Sequence, residues 1–220
     1  MISTTIILIA ITSIVSFMAF NNRTLLDKFI FYPPALRNNG WYRFFTYGFL
    51  HADLGHLFFN MFALYLFGDQ IENVFIVNFG TQMGSIFYIL LYLLALPASI
   101  LPTYIKEKNN SSYRSLGASG AVSAIVFAYI LIFPMQGMGL MFIPIYLPAF
   151  LFGIIYIAVS VYLEKKQAGN INHLAHVTGG IFGILFMFII FRIFGGMNIF
   201  SFFIENIQIS SVKDLIQFGR

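Results

Sequence analysis

Long apolar runs recur through this chain, at about residues 4–20, 54–68, 82–104, 119–134, 140–163 and 174–195, and few charges interrupt them. A helix needs about 20 apolar residues to cross the hydrocarbon core of a bilayer. Charged residues are 9% of the chain, against roughly 25% in soluble domains. A soluble domain of this size still exposes about a quarter to a third of its chain surface, too much to be covered when 59% of the residues are hydrophobic. The same richness excludes disorder. The net charge of +4 is dispersed along the chain, which argues against a nucleic-acid partner. No cysteine is present, so disulfides, thiolate metal sites and cysteine nucleophiles are excluded together. The runs lack the alternation of barrel strands and read as helices. The expected fold is all-α: a polytopic membrane helix bundle of six transmembrane helices. The first run lacks a basic flank and reads as a retained span rather than a secretory signal.

Residues 1–196 are expected to form the six-span core. Residues 197–220 form a tail whose alternating polarity suits an interfacial helix. Between the first two runs lies a long connection rich in proline, arginine and aromatics, including Pro33, Pro34, Trp41, Tyr42 and Arg43. Connections of this length are usually functional or partly embedded, and Trp41 and Tyr42 suit the membrane interface.

Polar side chains inside apolar spans are costly, so each is a candidate for function. His56 and Asn60 stand four apart, on one face of a helix. His176 precedes Gly179 and Gly183 at +3 and +7, which lays a small-residue surface on its own face. The run beginning at Gly117-Ala118-Ser119-Gly120 is nearly all small at its start. Two such faces can meet closely enough to bring the Ser119 hydroxyl within reach of a His176 ring nitrogen, a nucleophile–base pairing. Ser119 also stands at a helix start, where free amides and the positive dipole end would favour an oxyanion. His56 and Asn60 could add side-chain donors to the same oxygen. Each element has a blander use: serine as an N-cap, glycines as packing, a lone histidine or asparagine as glue between helices. Their occurrence together in this order is harder to assign to packing.

With those residues in view, the sequence resembles the rhomboid intramembrane serine proteases, from the first run to about Phe194. Gly117-Ala118-Ser119-Gly120 fits that family's Gly-x-Ser-Gly motif, and Ala175-His176 with Gly179 and Gly183 fits its Ala-His-xx-Gly-xxx-Gly motif. The resemblance implies Ser119 as nucleophile, His176 as general base, and His56 and Asn60 as oxyanion partners. Trp41, Tyr42 and Arg43, with Gly68 and Glu72, also fit the pattern. One position departs: many members carry an aromatic residue four after the nucleophile, packed on the catalytic histidine, and here it is Ser123. The implied activity is a serine endopeptidase that uses a Ser–His dyad, without cofactor or metal. The implied partners are transmembrane protein substrates and the lipid bilayer, in a bacterial inner membrane.

Two other readings stand beside it. A rhomboid-like protein could bind transmembrane helices without cleaving them, although the retained Ser119 and His176 argue against it. His51, His56, His173 and His176 could instead form a metal site or transporter, but no His-Glu-xx-His motif occurs. Orientation is divided. Six spans would put nine basic residues in the loops after spans one, three and five, and three on the other side. The positive-inside rule then sends the nine-residue side to the cytoplasm, whereas the resemblance implies that the active site opens on that side, facing outward.

Overall fold

The first apolar run forms α1, Thr4–Phe20, in the computed structural model, which describes residues 3–37, 39–139, 145–166, 169 and 171–218. Ser3 caps its start by accepting the Ile6 amide, and Glu72 closes the rest of that end. The Glu72 carboxylate accepts the amides of Thr4 at 2.6 Å and Thr5 at 2.8 Å, and it lies 2.8 Å from the Thr5 hydroxyl. A helix start leaves amides without partners and carries partial positive charge. A buried carboxylate there satisfies both needs and fixes α1 to the distant element that carries it.

The long connection folds into short helices, α2 (Arg23–Phe29), α3 (Pro33–Leu36) and α4 (Arg43–Thr46), the second begun by prolines that cannot continue a helix interior. Arg43 holds them together by donating to the carbonyls of Asp27 at 2.8 Å and Ile30 at 2.6 Å. Trp41 and Tyr42 are exposed. The connection thus has a built structure of its own, which polar and apolar periodicity did not indicate.

A helical run then extends from Leu54 to Glu107. It comprises α5 (Leu54–Ala63), a π-turn at Leu64–Gly68 and α6 (Asp69–Glu107). Gly80 interrupts α6 with φ 78° and ψ 163°, a left-handed conformation that favours glycine, so the chain bends between the second and third expected runs. Pro97 and Pro102 lie within α6 without ending it. The Tyr47 hydroxyl donates to the Leu96 carbonyl at 2.9 Å, and Thr178 donates to the Ser99 carbonyl at 2.6 Å, supporting the backbone around those prolines.

The remaining helices are α7 (Ser119–Ile132), α8 (Ala149–Lys166), α9 (His173–Phe194) and α10 (Ile199–Glu205). By length and apolarity two runs suffice to cross a membrane, Leu54–Glu107 and His173–Phe194; Thr4–Phe20 and Ser119–Ile132 are apolar but shorter. The fold is mostly helical, and two differences from the sequence reading stand out. The start of the fifth run, 140–144, lies outside the described residues. The described part of that run opens with β2 (Ile145–Pro148), which pairs antiparallel with β1 (Gly137–Met138). Pro148 has no amide to place in a helix interior, and α8 starts one residue later. The tail carries α10 and a short 3-10 turn at Val212–Asp214, and farther on it gives β3 (Gln217–Phe218), which pairs with β2. Isolated apolar–polar alternation could not separate a strand that needs this particular edge from an interfacial helix.

Candidate active site

The start of α7 is fixed from several sides. Gly117 has φ 120°, and a side chain there would run into the His56 ring, its Cβ 2.7 Å from Cε1. Its amide donates to the Tyr47 carbonyl at 3.0 Å. The Ala118 amide points at His51 Nε2, 3.4 Å away. His51 is buried, and its Nδ1 lies 2.9 Å from the Ser16 hydroxyl, which donates onward to the Phe49 carbonyl. Because Nε2 faces an N–H and the Ser16 proton is committed elsewhere, this chain of contacts is satisfied by a neutral His51 that carries its proton on Nδ1. His51, for which the sequence indicated no catalytic role, thus braces the backbone beside Ser119.

Ser119 is the first residue of α7, and Ala118 occupies the capping position, with no side-chain cap. The serine is therefore not spent on its own helix end. Its Oγ lies 2.8 Å from His176 Nε2, and both residues are half-buried. The close approach has a backbone cause. A Cβ on Gly179 would collide with the Gly120 carbonyl, and one on Gly183 with the Ala124 carbonyl. The small faces of α7 and α9 therefore meet backbone to backbone, which sets the separation that a serine–histidine hydrogen bond needs.

A cavity of about 760 Å³ opens over this pair, and Ser119, His176, His56 and Asn60 all line it. Asp53 caps α5 by accepting the His56 amide at 2.7 Å, so the His56 ring is carried on a defined first turn. Asn60 is buried and donates one amide hydrogen to the His56 carbonyl at 2.9 Å; its amide nitrogen has a second hydrogen to offer. The four site residues expected from the sequence therefore share one cavity. His173 lies one turn before His176, with ring centroids 5.8 Å apart. Among the described residues, no three side chains of metal-binding type gather as a ligand set.

A second cavity of about 500 Å³ shares Arg114, Ser115, Ile171 and Asn172 with the first and is lined by Lys106, Glu107 and Glu164. Burial pushes the Tyr113 phenol in its wall up to about 12, so it remains a neutral hydrogen-bonding group. Both cavities lie at the end of the bundle formed by the α1–α5, α6–α7 and α8–α9 connections. The side chain beside the His176 ring comes from α8. Tyr156 stacks at 6.2 Å between centroids with planes 26° apart, and its hydroxyl lies 2.8 Å from Ser123 Oγ. Nothing in the local sequence of α8, apolar throughout its middle, singles this tyrosine out.

Comparison with known proteins gives a consistent result. The Rhomboid domain family matches residues 38–193. "RHOMBOID-like protein 12, mitochondrial" of Arabidopsis thaliana is 30% identical over 75% of this chain and 51% of its own length. "Rhomboid-related protein 1" of Caenorhabditis elegans is 30% identical over 77% of this chain and 45% of its own length. "Putative rhomboid protease YdcA" of Bacillus subtilis (strain 168) is 25% identical over 72% of this chain and 71% of its own length. The chain thus spans about half the length of the first two relatives.

Proposed function

The chain belongs to the rhomboid family, and on that footing we propose that it is an intramembrane serine endopeptidase that cuts peptide bonds in or near the transmembrane segments of other membrane proteins. The observation that carries the reading is the 2.8 Å contact between Ser119 Oγ and His176 Nε2 inside a cavity that also holds His56 and Asn60. In this reading His176 accepts at Nε2 the proton that Ser119 gives up as its oxygen bonds to the scissile carbonyl carbon. The negative charge that develops on the carbonyl oxygen is met by the unpartnered amides of the first turn of α7 and by His56 and Asn60. His176 then passes the proton to the departing amine, leaving an acyl-enzyme. A water molecule, deprotonated by the same nitrogen, releases the acyl group. The polar second cavity adjoining the site gives that water a route at membrane depth, where the backbone and the polar groups must otherwise satisfy themselves.

The protein is an integral membrane protein of this family. We read α1, α5, the part of α6 beyond Gly80, α7, α8 and α9 as six spans, residues 1–196 as the core and 197–220 as an appended tail. Residence in a bacterial inner membrane belongs to the same proposal, since the relatives named above include a mitochondrial and a bacterial protein. The test is covalent. A fluorophosphonate should label the intact protein in membranes at one residue, located by mass spectrometry at Ser119, and Ser119→Ala should remove the label. Labelling that persists in Ser119→Ala would overturn the assignment of Ser119 as nucleophile, and an intact protein that takes no label would leave a non-catalytic binder of transmembrane helices as the better reading.

A further inference from the structure

Four side chains from three helices form a closed circuit around the candidate base. Ser119 contacts His176 at 2.8 Å; His176 stacks against Tyr156; the Tyr156 hydroxyl contacts Ser123 at 2.8 Å; and Ser123 lies one helical turn beyond Ser119 on α7. From this geometry we propose that Tyr156 is a positioning residue, whose ring fixes the plane of the His176 imidazole while Ser123 fixes the ring. The inference rests on the serine-hydrolase reading above.

An imidazole held only by one hydrogen bond to its serine can swing about its side-chain torsions, and terminal torsions of this type have broad minima. A stacked ring on one face removes that freedom, because near-parallel aromatic planes cannot rotate past each other without losing contact. Among the described residues, no carboxylate hydrogen-bonds the His176 ring to orient it. The hydroxyl of Tyr156 gives the tyrosine ring its own anchor. Ser123 is buried, and without this contact two hydroxyls would lack a partner in a dry interface. Because Ser119 and Ser123 belong to one helix, the nucleophile and the anchor of the clamp move as one body. The contact of α7 with α9 sets the distance from nucleophile to base, and the anchor of the clamp is carried on the same helix as the nucleophile.

The rest of α8 is built to let Tyr156 reach inward. Ala149, Gly153, Tyr156 and Ser160 follow one another on one helical face, and Ala149, Gly153 and Ser160 are buried. Tyr156 is the one large side chain of that stripe. Gly153 makes room: a Cβ there would press on Ile130 Cδ1 at 2.9 Å. Phe127 of α7 packs against the Tyr156 ring, with centroids 5.8 Å apart and planes tilted by 60°. A tyrosine serving only as glue between α7 and α8 would need the Ser123 contact but not the parallel face against His176. The stack is what separates the two roles.

The experiment compares the full chain in proteoliposomes with Tyr156→Phe, Tyr156→Leu and Ser123→Ala, and Ser119→Ala as the inactive control, on a transmembrane substrate. Misplacing a reacting group by about 1 Å can cost about 100-fold in rate, so Tyr156→Leu should lower kcat by roughly 10- to 100-fold with KM within about threefold. Tyr156→Phe, which keeps the ring, and Ser123→Ala, which removes the same hydrogen bond, should each stay within about fivefold of the parent. Their combination should cost no more than either alone, as a shared interaction requires. Equal kcat in parent and Tyr156→Leu, or a loss confined to KM, would overturn the proposal. In spectra of ring-labelled histidine, His176 should show an upfield ring-current shift that Tyr156→Phe keeps and Tyr156→Leu abolishes. An unchanged His176 resonance in Tyr156→Leu would overturn the stack, whatever the activity. An intact protein that cleaves nothing would instead count against the hydrolase reading, with the resonance still deciding the stack.

Discussion

At the scale of single residues, the site depends on short polar side chains held at the ends of helices that are otherwise apolar. His56 and Asn60 are the sharpest case, because both line the cavity over Ser119 and their hydrogen bonds run to Asp53 and within α5 rather than to Ser119 or His176. If they donate to the developing oxyanion, each truncation should act on the transition state rather than on substrate binding. Replacing either with alanine should lower kcat about 100- to 1,000-fold, or roughly 3 kcal/mol in the barrier, and leave KM much less affected. Steady-state kinetics on a transmembrane substrate would check this; a change in KM with kcat preserved would remove them from the oxyanion role. These four residues were legible in the sequence for a physical reason. Burying a polar group in an apolar span is expensive, so the few that occur stand out. His51 and Tyr156 were not legible in the same way. His51 acts through an amide of the chain 67 positions away, and Tyr156 acts across a helix interface. Neither relation leaves a periodic signal.

At the scale of elements, packing of small residues decides which helices can share chemistry. The glycine face of α9 was readable from its spacing, and it meets the backbone of α7 at Gly120 and Ala124. The helices themselves were readable from apolar length, with three exceptions that have local causes: the bend at Gly80, the delayed start of α8 behind Pro148, and the short helices of the first connection. What holds α1 was hidden, since Glu72 fits a sequence pattern without revealing its partner. The carboxylate takes the first amides of α1 and touches the Thr5 hydroxyl, which in turn lies 2.8 Å from Tyr88. Hydrogen bonds to a charged group contribute about 1.5–3 kcal/mol each when a partner is removed. Glu72→Ala should therefore lower the stability of the reconstituted protein by about 2 kcal/mol or more while leaving the fluorophosphonate reaction of the folded fraction intact. Unfolding followed at increasing denaturant would check the first part, and labelling of the folded protein the second. An unchanged midpoint would show that α1 is held elsewhere.

For the whole molecule, the arrangement puts both cavities at the end formed by the α1–α5, α6–α7 and α8–α9 connections, while α10 follows α9 at the opposite end. With six spans, Ser112 and Asn206, both exposed, must face opposite sides of the membrane. The chain has no cysteine, so Ser112→Cys and Asn206→Cys each introduce one thiol. A membrane-impermeant thiol reagent added to intact cells should reach one of them and not the other. Labelling of both from outside would contradict an odd number of crossings between Asn206 and Ser112. Which of the two is labelled also decides between the loop charges, which place the cavity end in the cytoplasm, and the orientation implied by the resemblance.

The central claim is that Ser119 and His176 break peptide bonds within a membrane, and cleavage itself tests it most directly. The full chain reconstituted in liposomes with a single-span substrate, alongside Ser119→Ala, should yield two fragments whose new ends map within or beside the substrate's span. Ser119→Ala should yield none above background, a loss of at least about 10⁴-fold. Cleavage that survives in Ser119→Ala would contradict the account.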